Sequence, residues 1–208
     1  MAHIQQFFFV NGVKQFLPQH FQGKKVLEIG SLNLNGSVRQ FFTDCDYLGL
    51  DVGPGRDVDL VCHGENHGAT AESYDVIISC EAMEHNPAWR TTWLNMLRML
   101  KPDGLMIMTC ATHGRRQHGT AEFQPGDSPL TVGMSQNYYR NLAAEDFSAL
   151  CPPTAWFSEH AFNTDYESHD LYFFGVGLGA SAQVRHQGAE LKASLAKHYH
   201  DKNVLGRY

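Results

Sequence analysis

The sequence predicts an α/β fold: a doubly wound, mostly parallel seven-stranded sheet with helices on both faces and an antiparallel hairpin towards the C-terminal end. Three observations predict it. Five short apolar runs alternate with helix-forming or polar stretches up to residue 110. Those runs are apolar at nearly every position, as in strands buried on both faces of a parallel sheet. Two further runs, after residue 154, are separated only by a short polar turn. Strands alternating with helical patterns argue for wound strand–helix–strand units, and closely spaced strands for a hairpin.

The elements follow in order. "KVLEIG" is a compact strand closed by Gly30, and "YLGLDV" (47–52) a second that ends at Asp51 before the turn "GPGR". "DVDLVC" (57–62) reads as a third, with Val58, Leu60 and Cys62 alternating; "YDVIIS" (74–79) and "LMIMTC" (105–110) are the fourth and fifth. "NGSVRQFF" is a helix candidate between the first two strands. "NPAWRTTWLNMLRML" (86–100) is the clearest helix, with Asn86 as N-cap and Pro87 in the first turn. Its apolar residues Trp89, Trp93, Met96, Leu97 and Leu100 keep helical spacing, a core stripe. "KPDG" ends it. "AAEDFSAL" is a short helix, "AWFSEHAF" and "DLYFFGVG" are the hairpin strands, and "AELKASLAKHYH" is an exposed closing helix with Leu191 and Leu195 on one side.

Residues 1–208 are read as one domain, in which the polar, Gly- and Pro-containing segment 111–142 is too long for a passive connection and is expected to be a lid or acceptor-binding insertion. Sixteen Lys and Arg against 22 Asp and Glu leave a net charge of −6, which argues against bulk nucleic acid as a partner. Five cysteines without a C-x-x-C pair read as reduced thiols, with Cys62, Cys80 and Cys110 near the ends of apolar runs. "MAHIQQFFFVNGVK" has no basic leader or small-residue cleavage site, and no run is long enough to span a bilayer. The expectation is a cytoplasmic protein without a membrane partner.

Ligands of such sheets sit at the C-terminal ends of the central strands. "VLEIGSLNLNG" (26–36) places Glu28 and Gly30 there, but Leu32 and Leu34 stand where a pyrophosphate-binding turn carries glycines. Asp51, ending the second strand, suits a ribose diol, because each ionised oxygen accepts a hydroxyl hydrogen bond. A carboxylate at Glu28 disfavours pyrophosphate and favours a cationic ligand without phosphate. S-adenosylmethionine, with its ammonium, sulfonium and diol, fits that charge pattern. Beside these readings stand plainer ones: Glu28 paired with Lys24 or Lys25, and Asp51 capping the "GPGR" turn.

On "VLEIG", "YLGLD" and "YDVIISCEAMEHNPAWRTTWLNMLRMLKPDGLMIMT", in that order and spacing, residues 24–112 resemble the class I S-adenosylmethionine-dependent methyltransferases of the broad small-molecule type, with their Rossmann-like sheet. The resemblance implies that Glu28, Gly30 and Ser31 surround the methionine moiety and that Asp51 and Val52 hold the ribose. It places His63 and Gly64 at the adenine, and Ser79, Cys80 and Glu81 on the floor beneath the methyl. The loop "SLNLNGS" departs from the pattern and is expected to use the side chains of Ser31 and Asn35. Glu84 and His85 fall near the acceptor. His85, His113 and His118 are the candidate catalytic bases, and each also reads as an ordinary surface or loop residue. No metal is expected, since His113 and His118 lack a third ligand at recognisable spacing.

The function expected is methyl transfer by in-line displacement to a small-molecule or polymer-end acceptor. The rival readings are a methyltransferase-like binding protein without turnover and a nicotinamide-dependent oxidoreductase, the latter opposed by the absent G-x-G-x-x-G.

Overall fold

The computed structural model describes residues 3–206. Its seven strands are β1 (Lys25–Ile29), β2 (Asp46–Asp51), β3 (Leu60–Val61), β4 (Tyr74–Cys80), β5 (Leu100–Ala111), β6 (Phe157–Asp165) and β7 (Asp170–Gly177). They form one sheet in the order β3-β2-β1-β4-β5-β7-β6. The pairs from β3 to β5 are parallel, while β7 lies antiparallel to both β5 and β6. The strand order reverses at β1, next to β4, where such sheets open a crevice.

Strand side chains alternate between faces, and two apolar layers result. Leu27, Ile29, Ile77, Met106 and Phe173 meet helix α2 (Trp89–Met99) and helix α4 (Ala144–Leu150) on one face. Val26, Val76, Ile78, Ile107 and Phe174 meet α1 (Ile4–Phe16) and α5 (Ala182–Leu205) on the other. Trp89 and Trp93 are fully enclosed, and Trp93 packs on Phe147 and Phe173 with ring centroids 4.7 and 5.2 Å apart. Leu191, Leu195 and Tyr199 turn α5 onto the sheet, and the remaining short helix, α3 (Pro129–Gly133), lies in the long segment after β5.

The structure corrects four local expectations. "NGSVRQFF" forms only a 3-10 turn, Val38–Phe41, which Ser37 opens by accepting the Arg39 amide and which ends where the backbone turns extended at Phe42. The third strand shrinks to two exposed residues at the sheet edge, so its alternating pattern marks no buried face and Cys62 is only part-buried. Helix α2 starts at Trp89, with Ala88 as N-cap; Asn86 instead turns the chain into it by accepting the Ala88 amide at 2.8 Å. "KPDG" belongs to β5, which runs without a break from Leu100. The N-terminal apolar patch is a helix, α1, capped by His3, whose ring accepts the Gln6 amide. All five cysteines are free thiols, and no described helix is long and apolar enough to cross a membrane.

Candidate active site

A cleft opens at the C-terminal ends of β1, β2 and β4, with ≈ 1150 Å³ of free space including its open mouth. That is ample for a nucleoside-sized ligand. Glu28, Gly30, Ser31, Asp51, Val52, His63, Gly64, Ser79, Cys80, Glu81 and His85 all line it. The far wall comes from the segment after β5, through Asp127, Ser128, Pro129, Leu130, Thr131 and Gln136. Asn35, His113 and His118 stand outside it. Asn35 is exposed because Asn33 ties the loop: its side chain donates to Asp57 at 2.6 Å and accepts the Gly36 amide at 2.8 Å. His113 is exposed where Gly114, at φ 92°, turns the chain, and His118 is buried behind His85.

The first four amides after β1 are spent on neighbouring protein groups. Gly30 and Ser31 donate to the Leu50 carbonyl at 2.9 and 3.1 Å, Leu32 to Asp51 Oδ2 at 2.9 Å, and Asn33 to the Arg56 carbonyl at 3.0 Å. A pyrophosphate cradle needs such N–H groups free and aimed at the ligand. Leu32 and Leu34 are therefore accommodated because the loop is braced against the "GPGR" turn. Gly30 is required where it stands: its φ is 83°, and a Cβ there would lie 2.4 Å from the Cβ of Ala82.

The charges in the cleft are carboxylates. Glu28 is 4% exposed and accepts the Tyr47 hydroxyl at 2.8 Å. Burial raises its pKa to about 7, against the pull of that hydroxyl and of Arg39. Neither Lys24 nor Lys25 pairs with it; Lys25 lies over the Tyr74 ring. Burial also raises Asp51, opposed by the Leu32 and Val52 amides that it accepts at 2.9 and 2.7 Å. Burial would raise Glu81 as well, but the adjoining His3 ring and the Thr109 hydroxyl, which donates at 2.7 Å, hold it below the usual carboxylate range. Glu81 sits at φ 53°, a strained conformation for a side-chain-bearing residue and one that recurs at functional sites. The Ser31 and Ser79 hydroxyls are buried without a partner on the same wall.

Beyond Glu81 the 3-10 turn Met83–His85 carries Glu84 and His85 into the interior. Burial, reinforced by Glu81, raises the Glu84 carboxyl, while burial and then His118 lower the His85 ring to about 3. His85, His118 and Tyr139 form an aromatic cluster, with ring centroids 5.0, 5.5 and 4.9 Å apart. Two further residues were not legible as site components. Gln6 lines the cleft from α1, and His3 lies 3.7 Å from Glu81 and 3.3 Å from Asp170. Both depend on a helix whose triple-phenylalanine patch has no clean period in sequence.

Residues 43–108 match the family described as "Methyltransferase domain". That match spans about a third of the chain, and the seven-stranded fold is one that solved methyltransferases share. Among solved structures the chain is similar to the 1,6-didemethyltoxoflavin-N1-methyltransferase of Burkholderia thailandensis, seen with 1,6-didemethyltoxoflavin and S-adenosylhomocysteine. The identity is 14%, the match covers 81% of this chain and 78% of that one, and the TM-score is 0.54. It is also similar to phosphoethanolamine N-methyltransferase 2 of Haemonchus contortus, at 14% identity, 82% and 52% coverage and TM-score 0.56. An arsenic(III) S-adenosylmethionine methyltransferase of Chlamydomonas reinhardtii matches at 16% identity, 77% and 65% coverage and TM-score 0.51. No curated protein matches the chain in sequence.

Proposed function

We propose that the protein transfers a methyl group from S-adenosylmethionine to a small-molecule or polymer-end acceptor, with residues 111–142 supplying a lid and the acceptor's binding wall. One observation carries the reading. The cleft presents Glu28 and Asp51 to its ligand, while the amides of Gly30, Ser31, Leu32 and Asn33 are spent inside the protein. That combination suits a cationic nucleoside without phosphate and disfavours a dinucleotide.

When bound, S-adenosylmethionine supplies a methyl group already activated on a sulfonium. The chain's own part is to hold and shield. Glu28 attracts the ammonium, with Gly30 and Ser31 beside it, and Ser79, Cys80 and Glu81 line the floor. Asp51 takes the ribose hydroxyls on the lone pairs that Leu32 and Val52 leave free, with Val52 alongside, and His63 and Gly64 flank the base. Holding acceptor and methyl in near-attack geometry supplies most of the acceleration that such a displacement needs. His85 is the candidate histidine that lines the cleft, so it is the one placed beside an acceptor; exposed His113 is not. The free thiols are in keeping with a reducing compartment such as the cytoplasm.

Calorimetric titration with S-adenosylhomocysteine, and with NADH in parallel, tests the reading. Micromolar binding of the first, weakened in Asp51→Ala, is expected. A folded protein that binds NADH instead would be an oxidoreductase, and one that binds neither would be a scaffold without turnover.

A further inference from the structure

We propose that Glu84, His85 and His118 form a binding site for one divalent transition-metal ion of the zinc type. The sequence hides this set, because the turn before α2 gives two ligands and the loop after β5 the third. In the fold their ligand atoms all lie within 4.8 Å of one another. Zinc bonds of about 2.1 Å in tetrahedral array need donor atoms roughly 3.4 Å apart, so small side-chain rotations close the site.

Burial and unmet bonding point to a ligand. Glu84, His85 and His118 are 0%, 4% and 4% exposed. Glu84 Oε2 and both ring nitrogens of His85 are buried without a hydrogen-bond partner. Buried polar groups left unpaired are costly, and Glu84 Oε2 and one His85 nitrogen are such groups within reach of a shared ion. The remaining atoms are held in ligand-competent form. The Arg116 carbonyl lies 3.0 Å from His118 Nδ1, which puts the proton there and leaves Nε2 with its lone pair outward. The Ala111 amide donates to Glu84 Oε1 at 3.3 Å, leaving Oε2 as the oxygen without a partner. Gly119 lets the chain close over the set, since a Cβ there would lie 2.6 Å from His85 Cε1.

Two imidazoles and one carboxylate form a donor set that zinc favours, with a position left open. A second group, His3, Glu81 and Asp170, also has its ligand atoms close together, but there the His3 ring lies between the carboxylates and Arg115 adds a further cation 3.6 Å from Asp170. It is an ion-pair network that needs no metal. Resting on the methyltransferase reading, a bound ion would hold an acceptor's proton-bearing donor atom at the open position next to His85 and ease loss of its proton to water.

The test is equilibrium dialysis of chelator-stripped protein against zinc, with metal content measured after removal of free ion. About one equivalent retained is expected. Loss of a residue that merely orients a ligand costs roughly 10–100-fold in metal affinity, so His118→Ala and Glu84→Gln should lose more. His113→Ala, at an exposed histidine, should retain the ion. Because the buried variants can misfold, the wild type is also titrated with cobalt, whose visible absorption reports coordination by nitrogen and oxygen without any substitution. Zinc held equally by folded His118→Ala, or no cobalt spectrum, would overturn the site and leave His85 and His118 as an uncharged pair. Binding of S-adenosylhomocysteine is read separately, so a failed cofactor assignment and a failed metal site are distinguishable.

Discussion

The Asp51 carboxylate accepts the Leu32 amide at 2.9 Å, so the acid that ends β2 also fastens the loop that follows β1. The turn-capping and ligand-binding readings of Asp51 are therefore compatible: one oxygen braces the loop and the Val52 amide takes the other, with lone pairs to spare on both. Asp51→Asn keeps one acceptor oxygen and loses the charge. Hydrogen bonds to charged groups are worth about 1.5–3 kcal/mol. The variant should lose about 1–2 kcal/mol in urea unfolding and bind S-adenosylhomocysteine at least tenfold more weakly. Weaker binding with unchanged stability would show that the Leu32 brace carries no load.

Gly30 is the second fixed point of that loop. Alanine there meets both a φ of 83° and a Cβ contact of 2.4 Å with Ala82, whose backbone leads into the strained Glu81 turn. Conformational strain of this kind costs about 1–3 kcal/mol. Gly30→Ala should lower the unfolding midpoint and weaken cofactor binding together, because the displaced Ala82 moves the cleft floor. Unaltered calorimetric affinity in the variant would mean that the floor is not a ligand contact.

Trp93 joins α2, α4 and β7 through Phe147 and Phe173. Truncating a buried tryptophan to alanine costs about 3–5 kcal/mol, comparable to much of a domain's stability. Trp93→Ala should shift denaturant unfolding by that amount or fail to accumulate as folded protein. A loss below about 1 kcal/mol would mean that the helix layer repacks around the gap.

The sheet was legible because its central strands are buried on both faces, which leaves a nearly unbroken apolar signature in "KVLEI", "DVIIS" and "LMIMTC". The edge strand misled for the opposite reason: Leu60 and Val61 are apolar but exposed, so their pattern records no core. Helix α1 was missed because Phe7, Phe8 and Phe9 are consecutive, and only Phe9 is buried. Eleven of the fourteen site residues read from sequence line the cleft, since strand ends fix them by register. Asn35 and His113 sit on loop excursions set by Asn33 and Gly114. The juxtaposition of Glu84, His85 and His118 depends on where the loop after β5 returns, which no local pattern encodes.

Glu28 gives the cleft a pH dependence with a definite sign. Its pKa rises from 4.5 to about 7 on folding because burial disfavours the charge. The folded state therefore holds a proton that the unfolded chain releases, and the associated stability is full below about pH 4.5 and lost as pH climbs to about 7. Glu28→Gln carries no such charge. It should match the wild type near pH 4 and exceed it above pH 7 by roughly 3 kcal/mol, from about 1.36 kcal/mol per pKa unit. A cationic ligand reverses the preference, since it needs the ionised carboxylate. Affinity for S-adenosylhomocysteine should rise about tenfold per pH unit below 7 and level off above it, as the ionised fraction does. In Glu28→Gln the affinity should be lower at pH 8 and flat across the range. A wild-type affinity independent of pH between 5.5 and 8 would remove Glu28 from the cofactor's amino-acid end and leave it as a buried partner of Tyr47.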